Sequence, residues 1–304
     1  MIRYSLRQLE CVVAAAETGS VAAAGLRLRL AQPSVSSAIK KLEAQLGLQI
    51  FIRRHAQGVT PTPQGQRFIA EARNLLAQAQ DLQRQAETEG QVIGGELRIG
   101  SFLTLAPAYA PRLIKRFQQL HPGTEVRLSE GVQGELLAGL REGRFDLALL
   151  YRVDLPDDIH AVDVKVLAPQ VLLPANHRLA RQRKIKLRDL AQDKLVLLDI
   201  EPSRTYFQRV LRQAGVMAVP SFASPSIELV RGLVGQGLGY SLLITRPHGD
   251  HSYDGNELCV RPIADEVEPG IIAVAKLASA RLTRTASTFE TFCVKEFKRF
   301  GRTS

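Results

Sequence analysis

The sequence predicts an α/β protein that begins with a separate helical unit. Two short helical patterns, a few residues apart, dominate the first 62 positions. A seven-residue apolar repeat then runs from Phe68 to Ala86 and indicates one long helix. From Leu97 onward, strand and helix patterns alternate, which is typical of a core built on open α/β sheets.

A first helix is predicted over residues 6–17, and the two short helical patterns follow it. Ser20 is a suitable N-cap for the first of the two, and Gly47 ends the second. Their apolar faces consist of Val21, Ala24 and Leu28 in the first and of Val35, Ile39, Leu42 and Leu46 in the second. This spacing predicts a helical hairpin that buries one face.

The outward face of the second short helix carries small and cationic side chains. Pro33 lies in its first turn, where a helix tolerates proline. A short helix that is held by a partner and presents small hydrogen-bonding groups suits the major groove of DNA. We therefore predict a DNA-reading helix, although a hairpin with a solvated face would show the same pattern. The residues predicted to bind DNA are Gln32, Pro33, Ser34, Ser36, Ser37, Lys40, Lys41, Arg53 and Arg54.

Residues 53–61 look like the two-stranded wing of a winged helix-turn-helix. Arg53 and Arg54 stand at the root of the turn that contains Gly58, a suitable place for cations to meet phosphate. A solvated basic loop is the alternative interpretation. The chain carries a net charge of +10, and residues 1–67 hold nine Lys or Arg against three Glu. This concentration of charge favours a polyanionic partner for the N-terminal unit.

A specific set of residues spans the first 65 positions: Leu9, Gly19, Ser20, Ala24, Leu28, Gln32, Pro33, Val35, Ser36, Ile39, Leu42, Glu43, Leu46, Gly47, Phe51, Arg53 and the run 62–65. This set resembles the N-terminal domain of LysR-type transcriptional regulators, and the rest of the chain fits that family's effector domain. The resemblance implies a DNA-binding regulator that is gated by a small effector. It also implies a dyad-symmetric operator and a homodimer or homotetramer, and it leaves contact with RNA polymerase open.

Four positions depart from the family pattern. Cys11 and Val21 stand where the family usually has phenylalanine, so the core of this domain is expected to contain smaller side chains. Gly25 replaces an alanine, at a cost of about 1 kcal/mol in helix propensity. Ala31 replaces the usual capping serine, so the recognition helix is expected to begin with a weaker N-cap.

The long helix is predicted to start after Thr62, with Pro63 in its first turn. Its apolar repeat is shorter than three heptads, which is too short to establish a coiled coil. By resemblance, this is the family's linker helix, which pairs with its twin in a dimer. A helix lying on its own domain is the alternative. The predicted dimerisation seam is Phe68, Ala72, Leu75, Ala79 and Leu82.

Beyond a hinge-like connection at residues 90–95, the sequence predicts two parallel-rich α/β sheets. Two crossings, near Val162 and near Ile263, resemble the type 2 periplasmic-binding-protein architecture of the family's effector domain. The predicted domains are a winged helix-turn-helix at 1–62, a linker helix at 63–90 and an effector-binding domain at 91–304. Within the last, subdomain 1 comprises about 95–161 and 267–304, and subdomain 2 about 162–266.

Ligands of open α/β sheets bind beyond the carboxyl ends of strands, often against helix N-termini. Several polar segments occupy such positions, and Arg152 and Arg204 among them suit a small anion, most simply a carboxylate. Helix capping is the alternative role for each Ser or Thr alone. The residues predicted to bind the effector are Ser101, Phe102, Thr104, Gln133, Tyr151, Arg152, Ser203, Arg204 and Ser226.

Other functions find less support in the sequence. The stretch from His248 to His251 lies in a turn-rich loop with no further ligand set, so neither a metal nor another cofactor is expected. Three scattered cysteines argue against a disulfide framework. No apolar run approaches membrane length and no signal-peptide pattern is present, so a cytoplasmic protein is expected. A small-molecule-binding protein without a DNA function is the second interpretation, and an enzyme is the third.

Overall fold

The computed structural model describes residues 3–54, 58–87 and 93–300. An N-terminal helical domain is followed by one long helix and by a larger α/β domain of two subdomains. The N-terminal helices are α1 (Leu6–Thr18), α2 (Val21–Leu28) and α3 (Gln32–Leu46), and its strands are β1 (Phe51–Arg54) and β2 (Gly58–Pro61). The wing is therefore a two-stranded antiparallel hairpin, and its turn at 55–57 lies outside the described residues.

The boundaries of the first three helices follow from local chemistry. Ser5 and Gln8 form a capping box at the start of α1, and the Ser20 side chain accepts from Ala23 N at 3.4 Å to cap α2. Gly19 and Gly47 end α1 and α3 with positive φ values of 65° and 62°. The predicted hairpin of two short helices is thus present with the predicted caps.

The long helix α4 (Pro63–Glu87) starts directly behind the wing. The Thr62 hydroxyl accepts from Gly65 N at 2.8 Å, as the predicted N-cap requires. A Cβ atom at Gly65 would lie 2.1 Å from the carbonyl oxygen of Ile50, so only glycine lets the helix approach the wing this closely. Phe68 and Ala72 pack into the core of the N-terminal domain.

Subdomain 1 is a five-stranded sheet covered by three helices. Its strands are β3 (Gly94–Phe102), β4 (Gly123–Gly131), β5 (Leu147–Tyr151), β6 (Ile159–Leu167) and β12 (Gly270–Leu277), in the order β4-β3-β5-β12-β6. Its helices are α5 (Ala106–Leu120), α6 (Gln133–Arg141) and α9 (Arg284–Phe300). β3 pairs in parallel with β4 and β5, whereas β12 is antiparallel to β5 and β6.

Subdomain 2 contains a three-stranded and a two-stranded sheet. The first is β10 (Ser241–Leu243), β7 (Gln170–Pro174) and β11 (Leu258–Pro262), all antiparallel, and the second is the parallel pair β8 (Leu195–Leu198) and β9 (Pro220–Ser224). Its helices are α7 (Ser203–Gln213) and α8 (Ile227–Gly235), with a 3-10 turn at Leu187–Leu190. The expectation of a second parallel-rich sheet is wrong, because the strands that flank β7 run against it.

The first crossing between subdomains falls later than predicted. β6 pairs along its whole length with β12, so residues 159–167 belong to subdomain 1 and the chain crosses at 168–169. The predicted boundary at 162 is therefore wrong. A strand paired within a sheet and a crossing segment present the same extended apolar pattern, and only the partner strand distinguishes them. The second crossing lies between β11 and β12, in the segment that follows Pro262.

Candidate DNA-binding surface and effector cleft

Helix α3 presents its predicted DNA-reading face to solvent. Val35, Ile39 and Leu42 are at most 1% exposed and pack into the N-terminal core, which turns the opposite face outward. On that face Gln32, Pro33, Ser34, Ser37, Lys40 and Lys41 are exposed, and Ser36 is half-buried. Ala31 provides no side-chain cap, as expected from the missing serine.

Residues before and within α1 extend this surface beyond the predicted set. Arg3, Tyr4, Ser5 and Gln8 line one side of a shallow concavity, and α3 from Pro33 to Gln45 lines the other. Gln8 Nε2 donates to Gln45 Oε1 at 3.2 Å and ties α1 to α3. Arg3 and Tyr4 lie outside the predicted set, since no helical or strand periodicity extends to them.

Glu43 connects the recognition helix to the wing. Its Oε1 atom accepts from the backbone nitrogens of Ile50 and Phe51, at 2.8 and 3.1 Å. Arg53 and Arg54 lie in β1, where their backbones pair with Val59 and Gly58. Only the backbone of these two residues is described. The wing therefore has a defined orientation relative to α3.

The wing also docks on the end of α1. Val59 N donates to Gly19 O at 2.9 Å, and Gly58 has a φ of +84°. A Cβ atom at Gly58 would lie 2.1 Å from Gly19 O, so the position requires glycine for both its conformation and its close contact. The structure thus brings the predicted helix and wing together on one face of the domain.

In the effector domain, Tyr151 lies at the centre of a hydroxyl cluster between the subdomains. Its Oη atom lies 3.2 Å from Thr104 Oγ1 of subdomain 1 and 2.6 Å from Thr245 Oγ1 at the end of β10 in subdomain 2. The Phe102 ring contacts Tyr151 edge to face, with centroids 5.4 Å apart. Burial raises the pKa of Tyr151, so the phenol remains protonated and can donate one hydrogen bond while accepting another.

The two arginines that were predicted to bind an anion already have carboxylate partners. Arg152 Nη1 donates to Asp163 at 2.6 Å. Arg204 Nε lies 3.2 Å from Asp199 and 2.9 Å from Glu201, at the start of α7. Both guanidinium groups remain largely exposed, so an effector carboxylate would compete with these partners in solvent.

Two other predicted effector residues, Ser101 and Ser226, have different environments. Ser101 is fully buried among Ile99, Leu113 and Cys293, between the sheet and helices α5 and α9, and the prediction that it faces the cleft is wrong. On a strand that is buried on both faces, the sequence does not show which side chains point to which face. Ser226 caps α8 by accepting from Leu229 N at 3.3 Å, which is the alternative role.

Ser203 and Gln133 each lie at the start of a helix, the kind of position at which effector binding is predicted. Ser203 is the first residue of α7 and is 5% exposed. Gln133 is the first residue of α6, and its Nε2 donates to Val153 O at 2.8 Å. Its Oε1 atom is buried and has no hydrogen-bond partner among the described residues. Thr245, which was outside the predicted set, is 94 residues from Tyr151 in sequence, and no local pattern could have connected them.

The predicted dimerisation seam is covered over its first part and open over the rest. Phe68 and Ala72 pack on their own domain, whereas Leu75 is 41% and Leu82 69% exposed. Another face of α4 contacts subdomain 1, where Gln78 and Asp81 bond to the backbone of Arg281 and Arg284 at 3.4 and 3.0 Å. The helix therefore lies partly on its own chain and still presents leucines outward.

Arg73 of α4 joins all three parts of the molecule. Its Nη1 atom donates to the carbonyl oxygen of Glu142 at 2.5 Å, and its Nε lies 3.3 Å from Glu17 of α1. The side chain is 10% exposed, and burial lowers the pKa of the guanidinium. Arg98, nearby in β3, binds Asp146 at 2.6 Å.

Neither a metal cluster nor a membrane helix is present in the described part of the chain. Over residues 3–54, 58–87 and 93–300, no group of three or more His, Cys, Asp and Glu is arranged to hold a metal ion. Asp250, in the loop with His248 and His251, forms an ion pair with Arg246. None of the described helices combines the length and the apolar character needed to span a bilayer.

Comparisons with known proteins cover nearly the whole chain. The family model of the LysR substrate binding domain matches residues 90–298, and that of the lysR family of bacterial regulatory helix-turn-helix proteins matches residues 6–66. HinK of Pseudomonas aeruginosa, a LysR family transcriptional regulator of known structure, is 43% identical, with a TM-score of 0.68 over 98% of this chain and 99% of that chain.

Two relatives known from sequence align over most of the chain as well. The uncharacterized HTH-type transcriptional regulator YvbU of Bacillus subtilis is 29% identical over 298 residues, which are 98% of this chain and 99% of YvbU. A hydrogen peroxide-inducible genes activator of Pectobacterium carotovorum is 30% identical over 240 residues, which are 79% of either chain.

Proposed function

The chain belongs to the LysR family of transcriptional regulators, and from that premise we propose how its own residues bind DNA and respond to an effector. In this proposal the exposed face of α3 reads operator DNA, two copies pair through α4, and a small anion binds between the subdomains. The observation that carries it is the outward face of α3 beside a wing held by Glu43. Such a regulator acts in the cytoplasm, where the bacterial chromosome lies.

For DNA, the proposal assigns two kinds of contact. Gln32, Ser34 and Ser37 are exposed near the start of α3 and suit hydrogen bonds to base edges. Lys40 and Lys41 are exposed one turn later and suit phosphate oxygens, as do the wing residues Arg53 and Arg54. Ser36 is half-buried on the same helix, and we assign it a supporting role in the contact between α3 and DNA.

For assembly, the proposal uses the open part of the seam. Leu75 and Leu82 are exposed on α4 and one heptad apart, so a second α4 helix can cover both. A two-fold dimer demands a dyad-symmetric site with half-sites about one helical turn apart, or a multiple of that. The exposed leucines support this arrangement, and a tetramer would be a pair of such dimers.

For the effector, the proposal places a small anion among Thr104, Tyr151, Thr245 and Ser203. Hydroxyl groups from both subdomains converge at Tyr151, and the first turn of α7, which begins at Ser203, would add its free backbone N–H groups to bind the anion. Arg204 would supply the positive charge, because its guanidinium group would leave Asp199 and Glu201 and pair with the ligand. A carboxylate matches this set of donors.

Helix α7 also provides a route from the ligand to the crossing between the subdomains. Tyr206 Oη donates to Glu268 O at 2.5 Å, and Gln213 Oε1 accepts from Glu268 N at 3.2 Å. Glu268 lies in the second crossing segment, just before β12. A ligand held by the first turn of α7 would therefore act on the second crossing segment, about which the subdomains would rearrange. A ligand switches a protein only if it binds one arrangement more tightly than the other, and this route would provide that difference.

The proposal does not include a thiol-based response, although one relative is named for hydrogen peroxide. Redox-sensing cysteines are accessible and have a lowered pKa. Cys11, Cys259 and Cys293 are all buried here, and burial raises the pKa of each thiol. These environments favour inert thiols.

A salt titration with mixed-sequence duplex DNA tests the proposal against a pure small-molecule binder. We expect the affinity to fall steeply with salt, with a slope that becomes about two units smaller per engaged protomer in K40Q/K41Q. A ligand screen followed by thermal shift then identifies the effector, since a ligand of the native state raises the melting temperature. The absence of DNA affinity at low salt would contradict the proposed function.

A further inference from the structure

Five exposed cationic side chains lie close together on subdomain 2. They are Arg181, Arg183, Lys184, Lys186 and Arg188, between β7 and β8, and we call them the cationic ridge. The ridge lies outside the helix-turn-helix domain and contributes no residue to the cleft, so neither function described above accounts for it.

The ridge lies in one of two regions that hold the positive charge of the protein. Residues 178–194 contain seven Lys or Arg and two Asp, a net charge of +5. Residues 1–67 carry +6, and the other 220 residues hold 24 basic and 25 acidic residues. The ridge therefore resembles the DNA-binding domain in its charge and differs in charge from the rest of the effector domain.

The backbone of the ridge is held firmly, with its charges directed outward. Ile185, Leu187 and Leu190 are completely buried and alternate with the cationic residues. Ile185 N donates to Pro262 O at 3.0 Å, and Leu187 N to Asp265 Oδ2 at 2.8 Å. A surface that is already ordered loses little conformational entropy when it binds a partner.

The charges of the ridge have few carboxylates close to them. Over the described residues, no carboxylate oxygen lies within 4.0 Å of its charged nitrogens, whereas Arg141 and Arg127 elsewhere are in ion pairs. Asp193 is occupied by Arg178 and His177. Asp265 accepts a hydrogen bond from the Leu187 amide and partly offsets the positive charge of the ridge. Asp189 is exposed beside Arg188.

We propose that the cationic ridge binds the phosphate backbone of duplex DNA that flanks the segment contacted by α3. Lys and Arg without a carboxylate partner suit phosphate oxygens, and such contacts need no particular base sequence. Residues 178–194 contain no aromatic side chain, which disfavours the stacking used to bind single strands. This inference rests on the proposed function and adds a second DNA contact to it.

The test compares the salt dependence of binding to a long and a short mixed-sequence duplex. The short duplex, of about 20 base pairs, spans two half-sites one helical turn apart, and the long one extends well beyond them on both sides. For R181Q/R183Q/K184Q on the long duplex, we expect the slope of log K against log salt to fall by about 2 to 3 units per engaged protomer. On the short duplex we expect the wild-type slope.

A matched control separates the ridge from a general effect of charge. K115Q/K295Q/K298Q removes three exposed lysines from α5 and α9 of subdomain 1 and should keep both wild-type slopes. A second ridge variant, K186Q/R188Q, should lower the long-duplex slope by about 2 units per engaged protomer. Unchanged melting temperatures for the variants establish that they are folded.

Four results would overturn the inference. The first is an unchanged slope on the long duplex for both ridge variants, and the second is an equal fall for the control triple. The third is an equal fall on the short duplex, which would place the contact outside the flanking DNA. The fourth is an unchanged DNA slope together with ridge-dependent binding of polyglutamate, which would assign the ridge to an acidic protein. A wild-type protein that binds neither duplex overturns the proposed function as well, so the two failures are distinguishable.

Discussion

The phenol of Tyr151, at the end of β5 in subdomain 1, lies 2.6 Å from the hydroxyl of Thr245 in subdomain 2. This hydrogen bond spans the cleft, and Thr104 holds the same phenol from its own side at 3.2 Å. In the proposed effector site, a ligand between the subdomains would exchange partners with Tyr151, and the contact would then couple occupancy of the cleft to the separation of its walls.

Tyr151→Phe should remove the bond between the subdomains and leave the buried ring and its edge contact with Phe102 in place. The substitution also removes the bond to Thr104, and each net hydrogen bond is worth about 1 kcal/mol, so the free energy of unfolding should fall by about 1–2 kcal/mol. Thr245→Val removes the cross-cleft partner alone and leaves the contact with Thr104, so it should cost about 1 kcal/mol, less than Tyr151→Phe. Chemical denaturation measures both, and a Thr245→Val protein as stable as the wild type would contradict the cross-cleft contact.

Arg204→Ala should weaken effector binding about tenfold or more, because a charge-assisted hydrogen bond to the anion is lost and Asp199 and Glu201 remain. Arg152→Ala removes an equally exposed arginine that pairs with Asp163. Isothermal titration with the screened effector compares the two. A larger loss in Arg152→Ala would move the anion from α7 to the end of β5.

Ser37→Ala should alter sequence preference, whereas Lys40→Gln should weaken binding to all sequences alike. Both side chains are exposed on α3, so neither substitution should disturb the core. A contact to a base edge carries about 1–3 kcal/mol of discrimination, and a phosphate contact lowers the salt slope by about one unit. Binding to a random-sequence pool, followed by sequencing, gives the preferences, and equal, sequence-independent losses would show the assignment to be wrong.

Leu75→Asp and Leu82→Asp should disrupt the dimer, since each would bury an unpaired charge in the seam between two α4 helices. Gln80→Asp introduces the same charge at an exposed position on another face of α4 and should have no effect on assembly. Analytical ultracentrifugation distinguishes the states. Leucine variants that remain dimeric would exclude the seam.

Arg73→Met should destabilise the protein by about 1.5–3 kcal/mol, because it deletes charged hydrogen bonds from a side chain that is only 10% exposed. Arg144→Met removes a nearby arginine whose ion pair with Glu142 is largely exposed, and it should cost less than about 1 kcal/mol. Hydrogen exchange should locate the change for Arg73→Met at α1 and at the Glu142 turn. Equal effects of the two variants would contradict a special role of Arg73.

The local features of the DNA-binding domain could be read from the sequence. Ser20, Gly47 and Thr62 mark helix ends through their own backbone and side-chain chemistry, and the structure has helices that begin or end there. The outward face of α3 follows from the apolar spacing of Val35, Ile39 and Leu42. Because a helix has a fixed period, the residues of its buried face determine where all the remaining side chains lie. What lies within a few residues along the chain is determined by local rules.

The tertiary structure alone decided which distant groups meet. Ser101 was assigned to the wrong environment because a strand buried on both faces shows no alternation, and only its sheet partners and helices define the face. Thr245 reaches Tyr151 across 94 residues of sequence, and Arg73 joins Glu17 to Glu142 through side chains that no period relates. Sequence spacing determines which side of an element a residue occupies, but the partner across a cleft or a domain junction depends on how separate elements pack together.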